Sequence, residues 1–234
     1  MATEEIDLPD RPGGAAPHVI VTSVENPLLD DEDRHHLANV RRLRDGDLVS
    51  VTDGCGSWRW CRFRDSALAT AGVIHFEPQP TPLLTVGFAL VKGSKPELVV
   101  QKLTELGIDV IVPFVAERSV VRWDDAKIER QSERLTKVSR EASMQSRRLW
   151  LPIVERVATF AELVSREGVV RAERDGELLQ AKHATVLIGP EGGWSETEAG
   201  SSPIVGLGAT VLRAETAAIA AGTLMVSLRD RSTI

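Results

Sequence analysis

Three short apolar runs beyond residue 83 constrain the fold of this chain most, because each has the length and composition of a buried β-strand. They are LTVGFALV at residues 84–91, IDVIVPFV at 108–115 and TVLI at 185–188. Between the first two runs, Pro96 marks the start of a predicted helix and Gly107 marks its end. A strand, a helix and a second strand in this order form a βαβ unit with parallel strands. The sequence therefore predicts an α/β domain.

The rest of this region continues the alternation of helices and strands. A long helix is predicted over residues 124–147, with acids at its start and apolar residues on one face. Further strands are predicted in GVVRA at 168–172 and in IVGLGATVL at 204–212, followed by an alanine-rich helix over 216–229. We assign residues 83–234 to this α/β domain.

The first third of the chain has a different sequence pattern, which predicts short β-strands and no long helix. Strands are predicted in HVIVTSV, LVSVTDG, WRWCRFR and AGVIHF, with hairpin turns at RDGD and DGCGS. One helical turn is predicted near Asp33. We interpret residues 1–16 as a disordered tail, residues 17–76 as a small β-barrel and residues 77–82, EPQPTP, as a linker.

Charge is distributed unevenly, so the net charge of −6 at pH 7 does not argue against a nucleic-acid partner. Residues 1–33 hold nine acids and one arginine, whereas residues 34–44 hold four arginines and no acid. In SWRWCRFR, arginines are interleaved with Trp58, Trp60 and Phe63. Cations beside stacking rings are typical of RNA binding. Taken alone, the pattern favours a strand whose rings point into a small barrel while arginine stems cover its surface, and both interpretations stay open.

Composition disfavours several other classes of protein. No apolar run of about 18 residues could span a bilayer and the acidic start is unlike a signal peptide, so we expect a cytoplasmic protein without a membrane partner. Cys55 and Cys61 lack partners at zinc-ligand spacing, so we expect reduced thiols and no metal. His35 and His36 point apart on a helical turn, which favours a structural or RNA-contacting role over metal binding or acid-base chemistry.

The stretch LIGPEGGWSETEAG at residues 187–200 places a glycine-rich loop directly behind a strand. Ser195 and Glu198 have the spacing of a capping box, which starts a helix. Such strand-to-helix loops bind ligands in α/β proteins, and glycines let the backbone approach the ligand closely. Phosphate is one candidate, but neither a Gly-Lys-Ser/Thr nor a GxGxxG pattern is present. A tight structural turn is the alternative interpretation.

Four segments together carry a family resemblance: KGSKPELVVQKLTELGID, REASMQSRR, GPEGG at 189–193 and LGATVLRAETA at 207–217. With HHLANVRRLRDGD at 35–47, they resemble the 16S ribosomal RNA uracil-N3 methyltransferases, often called RsmE, of the SPOUT class of knotted methyltransferases. The resemblance covers nearly the whole chain from His18 onward. GPEGG followed by LGATVLRAETA is its specific part.

The resemblance implies a PUA-like β-barrel that helps to bind RNA and a C-terminal SPOUT α/β methyltransferase domain with a deep trefoil knot. It also implies S-adenosylmethionine as the methyl donor, 16S rRNA of the small ribosomal subunit as the substrate, and a homodimer. The family's cofactor loops match residues 189–193 and 207–216, and the residues expected to bind the cofactor are Leu187, Gly189, Pro190, Glu191, Gly192, Gly193, Leu207, Gly208, Leu212, Arg213, Ala214, Glu215, Thr216 and Ala217.

The implied nucleophile is N3 of a uracil. We hypothesise that Arg213 stabilises negative charge developing on a uracil oxygen, and a salt bridge to Glu215 or Glu191 is its alternative role. For Gln145 and Arg148, a solvated helix end is the alternative to RNA contact. The residues expected to bind RNA are Arg34, His36, Arg41, Arg42, Arg44, Lys92, Lys95, Gln145 and Arg148.

The chain departs from the family pattern at Met144, which stands where the family has a glutamate, so no role of that glutamate is carried over. The interval from Gly193 to Leu207 is short, and a helix of about two turns is expected there. Ala172 and Glu173 match only loosely and receive no site role. The alternatives are a SPOUT methyltransferase for another RNA and a non-catalytic RNA-binding factor in ribosome assembly.

Overall fold

The computed structural model describes residues 8–232 of the chain. These residues form two compact units, between which the chain passes more than once. The first unit runs to Gln79 and also includes Ser143–Leu151, and the second comprises Pro80–Ala142 and the residues from Pro152 onward.

The first unit is built on a four-stranded sheet. Its strands are β1 (His18–Ile20), β2 (Leu48–Thr52), β3 (Ser57–Arg64) and β4 (Ala67–Phe76), in that spatial order. β1 is parallel to β2, and the other neighbours are antiparallel. β1, β2 and β3 match predicted β-like runs, whereas β4 contains the predicted run AGVIHF but begins at Ala67, four residues earlier. The predicted helical turn is helix α1 (Asp31–His35), which continues into the π-helical segment His36–Val40.

The aromatic rings of β3 point into the core of the first unit. Trp58 and Trp60 are each 1% exposed and Phe63 is 3% exposed. Arg59 and Arg62 are half-buried and donate to the carbonyls of Gly72 and Gly46. Of the two interpretations of SWRWCRFR, the inward-facing strand is therefore correct, and stacking of these rings on RNA bases is wrong.

Residues 8–16 are hydrogen-bonded to other parts of the first unit, which contradicts the prediction of disorder for this part of the tail. The indole of Trp60 donates to the carbonyl of Pro9 at 2.6 Å. The guanidinium of Arg147 donates to the carbonyl of Gly14, and that of Arg41 donates to the carbonyl of Ala15. Residues 1–7 of the predicted tail lie outside the described residues.

The segment Ser143–Leu151 packs on the first unit, although the sequence assigned it to the second domain. Gly56 N–H donates to the carbonyl of Leu149, and the indole of Trp150 donates to the carbonyl of Glu77, both at 2.9 Å. Met144 packs against the apolar core of this unit. A helix that is continuous in sequence thus ends in a different unit from the one in which it starts, which local sequence patterns do not reveal.

His18 is a buried histidine that this unit keeps uncharged. Its ring is 5% exposed, Nδ1 lies 2.8 Å from Ser50 Oγ, and Nε2 lies 3.3 Å from the carbonyl oxygen of Arg148. Burial, reinforced by the positive charge of Arg147, lowers the pKa of His18 to about 4, although the hydrogen bond to the carbonyl opposes this shift.

Acidification is expected to destabilise the protein through His18. A histidine whose pKa is lower in the folded state takes up its proton preferentially in the unfolded state, so stability falls as the pH falls from about 6.5 to about 4. The full loss is about 3 kcal/mol. Urea unfolding at several pH values, compared between the wild type and His18→Gln, measures this contribution, since glutamine does not titrate. Equal slopes against pH in the two proteins would contradict it.

The second unit is built on a seven-stranded sheet. Its strands are β5 (Thr85–Ala89), β6 (Val110–Val115), β7 (Ile153–Val154), β8 (Ala158–Thr159), β9 (Val169–Leu178), β10 (Thr185–Ile188) and β11 (Ile204–Gly206). The order is β11-β9-β10-β5-β6-β7, with β8 also paired to β6, and all of these pairs are parallel. The predicted parallel α/β sheet is confirmed.

Within residues 8–232, five helices accompany this sheet: α2 (Lys95–Leu106), α3 (Asp125–Ser146), α4 (Phe160–Val164), α5 (Glu196–Ala199) and α6 (Ala214–Ser232). Pro96 lies in the first turn of α2, and Gly107 caps its end in the left-handed conformation with φ 101°, as predicted. The core joins Val86 and Val186 of the sheet to Leu103 of α2 and Ala218 of α6. No helix among residues 8–232 combines the length and apolarity needed to cross a membrane.

A salt bridge is buried beneath this core. Arg229 Nη1 of α6 lies 2.6 Å from Asp109 Oδ2, and the two side chains are 7% and 3% exposed. The same carboxylate oxygen accepts the N–H of Leu84 at 2.9 Å. Arg229 also donates to the carbonyl of Gly107 at 3.2 Å. The pair therefore ties the last helix to the entry of β5 and to the end of α2.

Three elements differ from their predicted lengths, and β7, β8 and α4 were not predicted. β9 continues to Leu178, well past the predicted run, and β11 stops at Gly206, so that residues 207–212 form a loop instead of a strand. A Cβ at Gly176 would lie 2.4 Å from the carbonyl carbon of Val205, so glycine is what lets the two strands approach this closely. α5 has a single turn, half the expected length, although the predicted capping box of Ser195 is present.

Candidate functional site

A cavity of about 730 Å³ lies beside the carboxyl ends of β10 and β11. Its walls come from the middle of β9, the glycine-rich loop after β10, the loop after β11 and the first turn of α6. The two segments that the sequence singled out, GPEGG and LGATVLRAETA, therefore meet around one space. This is the edge at which parallel α/β sheets bind their ligands.

Trp194 forms the fixed wall of this cavity. Its side chain is 8% exposed, its indole donates to the carbonyl of Ala172 at 3.2 Å, and its ring stacks on Phe114 with centroids 6.2 Å apart. The guanidinium of Arg171 lies 5.3 Å from the same ring. A Cβ at Gly189 would lie 2.9 Å from the indole, so the chain can pass this wall only as glycine.

The helix α5 behind the GPEGG loop is held in place by the carboxylate of Glu198. This side chain is buried and accepts the N–H of Ser195 at 3.0 Å within the capping box. Its other oxygen accepts the N–H of Glu117 at 2.8 Å, and Glu117 in turn accepts the hydroxyl of Thr197. The loop after β6 and the loop after β10 are therefore linked by hydrogen bonds.

Lys95 joins the two cavity loops to each other. Its ammonium group lies 2.9 Å from Glu191 of the GPEGG loop and 3.3 Å from Glu215 at the start of α6. The hydrogen bond that Lys95 donates to Glu191 raises the pKa of Lys95 and lowers the pKa of Glu191. Lys95 was expected to bind RNA, but its ammonium group lies between two carboxylates of the protein itself.

Arg213 is exposed, lies in the cavity wall and forms no ion pair within residues 8–232. The carboxylates of Glu191 and Glu215, its alternative partners, are those that contact Lys95. No salt bridge from Arg213 to Glu191 or Glu215 is formed, although its positive charge contributes to the lowered pKa of Glu191, and its side chain lines the cavity.

Most residues expected to bind the cofactor line the cavity, namely Gly189, Pro190, Glu191, Gly193, Leu207, Gly208, Leu212, Arg213, Ala214 and Ala217. Four others are outside its lining: Leu187, which is buried in the core, and Gly192, Glu215 and Thr216. Further lining residues were not predicted, namely Ala172, Glu173, Arg174, Ile188, Trp194, Thr210 and Val211. Of these, Ala172 and Glu173 matched the family loosely, and the short β11 adds Thr210 and Val211 to the loop.

The residues expected to bind RNA are divided between the two units. In the first unit, the exposed side chains are Arg34, His36, Arg41, Arg42, Arg44 and Gln145. Arg148 is half-buried, and its Nε donates to the carbonyl of Trp150 at 3.0 Å. Lys92, in the second unit, is exposed in the turn after β5. Arg34 is also paired with Asp31 at 3.3 Å.

Comparison with known proteins gives the class of this chain. Residues 77–226 match the family model described as RNA methyltransferase domain, and residues 29–65 match the model described as RNA methyltransferase PUA domain. The chain, whose second unit has a parallel sheet with a ligand-sized cavity at its carboxyl edge, therefore belongs to the class of RNA methyltransferases.

Individual relatives narrow the class. The chain is 32% identical to Ribosomal RNA small subunit methyltransferase E of Bacillus subtilis, over 80% of this chain and 84% of that protein. It is 35% identical to the protein of the same name from Synechocystis sp., over 78% of this chain and 67% of that protein. The chain belongs to the ribosomal RNA small subunit methyltransferase E family.

A solved structure shares the fold. The crystal structure of Ribosomal RNA small subunit methyltransferase E from Neisseria gonorrhoeae, bound to S-adenosyl methionine, matches with a TM-score of 0.78 at 24% identity. The match covers 91% of this chain and 98% of that chain.

Proposed function

We propose that this protein transfers a methyl group from S-adenosylmethionine to N3 of a specific uridine in 16S rRNA of the small ribosomal subunit. The observation that carries the proposal is the meeting of GPEGG and LGATVLRAETA around one cavity of about 730 Å³. The relatives that match this chain over most of their length are named as small-subunit rRNA methyltransferases. The choice of N3 rests on the family resemblance.

The lining of the cavity suits S-adenosylmethionine. Its volume is in the range of small-molecule sites, about 300–1,000 Å³. Leu207, Leu212 and Ala217 offer an apolar surface for an adenine ring. Glu173 offers a negative charge for the cationic groups of the ligand, and the glycines of the loop leave backbone N–H and C=O groups accessible. When bound, S-adenosylmethionine supplies an electrophilic methyl group.

The residues of the chain then have three tasks. The glycine-rich loop and Trp194 hold the methyl donor, and Lys95 keeps the two loops together through Glu191 and Glu215. Arg213 faces the cavity and stabilises the negative charge that develops on a uracil oxygen as N3 loses its proton. Holding both reactants in line converts the encounter into an effectively unimolecular step.

The proposal extends to RNA binding and assembly. The exposed arginines of residues 34–44 lie in the region that matches the PUA domain, and they supply positive charge for the phosphates of RNA. The resemblance further supports a homodimer that acts in the cytoplasm, and a trefoil knot in the second unit stays a prediction. Light scattering tests the homodimer, since a monomeric mass at micromolar concentration would exclude it.

Two measurements test the proposed activity. Isothermal titration with S-adenosylmethionine should show saturable binding, and absence of binding would favour a non-catalytic assembly factor. Mass spectrometry of 16S rRNA from cells that lack or regain the gene should show 3-methyluridine only when the protein is present. A methylated ribose, or a methyl group on another RNA, would instead identify a different methyltransferase of the same fold.

Gly189→Ala is expected to weaken the binding of S-adenosylmethionine about tenfold, which corresponds to about 1.4 kcal/mol. The added Cβ would lie 2.9 Å from the indole of Trp194 and would displace the fixed wall of the cavity. Isothermal titration measures the change. Gly200→Ala is the matched control, because a Cβ at Gly200 meets nothing within 4 Å and the residue has φ −94°. Equal affinity of the two variants would contradict the role given to Gly189.

A further inference from the structure

A second cleft of about 290 Å³ lies at the same edge of the sheet as the cofactor cavity. It is lined by the turn after β5 with Lys92, the loop after β6 with Trp123, and the first turns of α3 with Lys127 and Gln131. β5 is the neighbour of both β10 and β6 in the parallel sheet, so the loops of the two sites follow adjacent strands. The cleft is smaller than the cofactor cavity and matches a single planar group better than a whole cofactor.

The cleft presents two free ammonium groups beside an aromatic ring. Lys92 and Lys127 are exposed, and neither ammonium group forms an ion pair within the part of the chain that the structure describes. The nearby carboxylate of Asp124 accepts the backbone N–H of Lys127 at 2.8 Å, as a helix cap does. Trp123 is half-buried, and the ammonium group of Lys127 lies 5.9 Å from the centroid of its ring. The lining contains no acidic residue.

The loop that carries Trp123 also touches the cofactor loop. Arg118 lies in this loop, and its guanidinium donates to the carbonyl of Gly192 at 3.5 Å. The positive charge of Lys92 also contributes to the lowered pKa of Glu191 in the GPEGG loop, behind the larger effect of Lys95. An RNA strand that presents one nucleotide to the cofactor cavity would therefore pass the cleft with a neighbouring nucleotide.

We propose that this cleft binds a nucleotide that flanks the target uridine in single-stranded RNA, with its base stacked on Trp123 and its phosphate held by Lys92 and Lys127. A π-face beside cations is the combination that proteins use for single-stranded nucleic acid, because every base can stack and every nucleotide carries a phosphate. The subsite rests on the proposed function for the identity of the RNA. It adds a positioning residue, Trp123, that no sequence motif indicated.

Trp123→Ala is expected to raise the KM for RNA about five- to hundredfold, the range that loss of one base stack produces. The affinity for S-adenosylmethionine and the kcat at saturating RNA should remain unchanged, because the ring lies outside the cofactor cavity. Trp123→Phe should keep most of the affinity for RNA, since phenylalanine can also stack. Val120→Ala is the matched control, because Val120 is in the same loop, 74% exposed and outside the cleft. A KM for Trp123→Ala equal to that of the wild type would overturn the subsite.

Photocrosslinking makes the test independent of catalysis. A 16S rRNA transcript that contains 5-iodouridine is irradiated with the wild-type protein, and crosslinked peptides are identified by mass spectrometry. The proposal expects a crosslink on Trp123, and crosslinks found only on other peptides would overturn it. If Trp123 is crosslinked but the wild type neither binds S-adenosylmethionine nor transfers a methyl group, the subsite stands and the proposed activity fails.

Discussion

Replacing Arg213 by alanine is expected to lower kcat for methyl transfer by about 10²–10³, the usual effect of removing one preorganised group that stabilises developing charge. The affinity for S-adenosylmethionine should change little, because the cavity keeps its loops and its Trp194 wall. The guanidinium faces the cavity without an ion pair among residues 8–232, since Lys95 contacts the carboxylates of Glu191 and Glu215. Transfer of labelled methyl to 16S rRNA, with titration of the cofactor in parallel, measures both quantities.

Two further variants make this result specific. Arg213→Lys keeps the charge without the planar fork and should recover part of the rate. Arg156→Ala removes an arginine that is 75% exposed and paired with Glu129, and it should have no effect on kcat. Unchanged turnover in Arg213→Ala at saturating RNA would reject the role of this side chain in the transition state.

Arg229→Met is expected to destabilise the protein by about 3–5 kcal/mol, the cost of leaving one partner of a buried ion pair without the other. The carboxylate of Asp109, 3% exposed, would keep its hydrogen bond from Leu84 N–H but lose the guanidinium 2.6 Å away. Urea unfolding followed by circular dichroism measures the change, and reversibility should be checked because the chain has two units.

The double variant Asp109→Asn with Arg229→Met separates the charge from the packing. If the buried carboxylate causes most of the loss, the double variant should be more stable than Arg229→Met alone. Arg231→Met, two positions further on an exposed face, should change stability by less than about 0.5 kcal/mol. Equal stabilities of Arg229→Met and Arg231→Met would show that the buried pair contributes little.

The sequence predicted five of the seven strands of the parallel sheet and four of the five helices that accompany it within residues 8–232, because their signals are local, whereas β7, β8 and α4 were not predicted. The run before Gly107 has helical periodicity, Pro96 starts it and a left-handed glycine ends it, so α2 could be placed almost to the residue. The glycine-rich loop and the capping box that follows it could also be predicted, since Ser195 and Glu198 are only three positions apart.

The missed features depend on contacts between segments that are distant in sequence. β11 lies close against Gly176 of β9 and ends at Gly206, and the loop that replaces the rest of the predicted strand adds Val211 to the cavity. Lys95 carried the sequence signal of an RNA-binding lysine, but its two carboxylate partners lie about a hundred residues away. No sequence pattern indicated a role for Trp123, because the cleft around it forms only where the turn after β5, the loop after β6 and the start of α3 come together.

The placement of Ser143–Leu151 restricts how this protein could be divided or recombined. A fragment that stops at Gln79 would lack the partners of the Gly56 N–H and of the Glu77 carbonyl, and its apolar interior would be left uncovered where Met144 packs. Grafting the amino-terminal module onto another enzyme would therefore require a peptide from the middle of the chain as well. Any exchange of modules between relatives has to carry both pieces together.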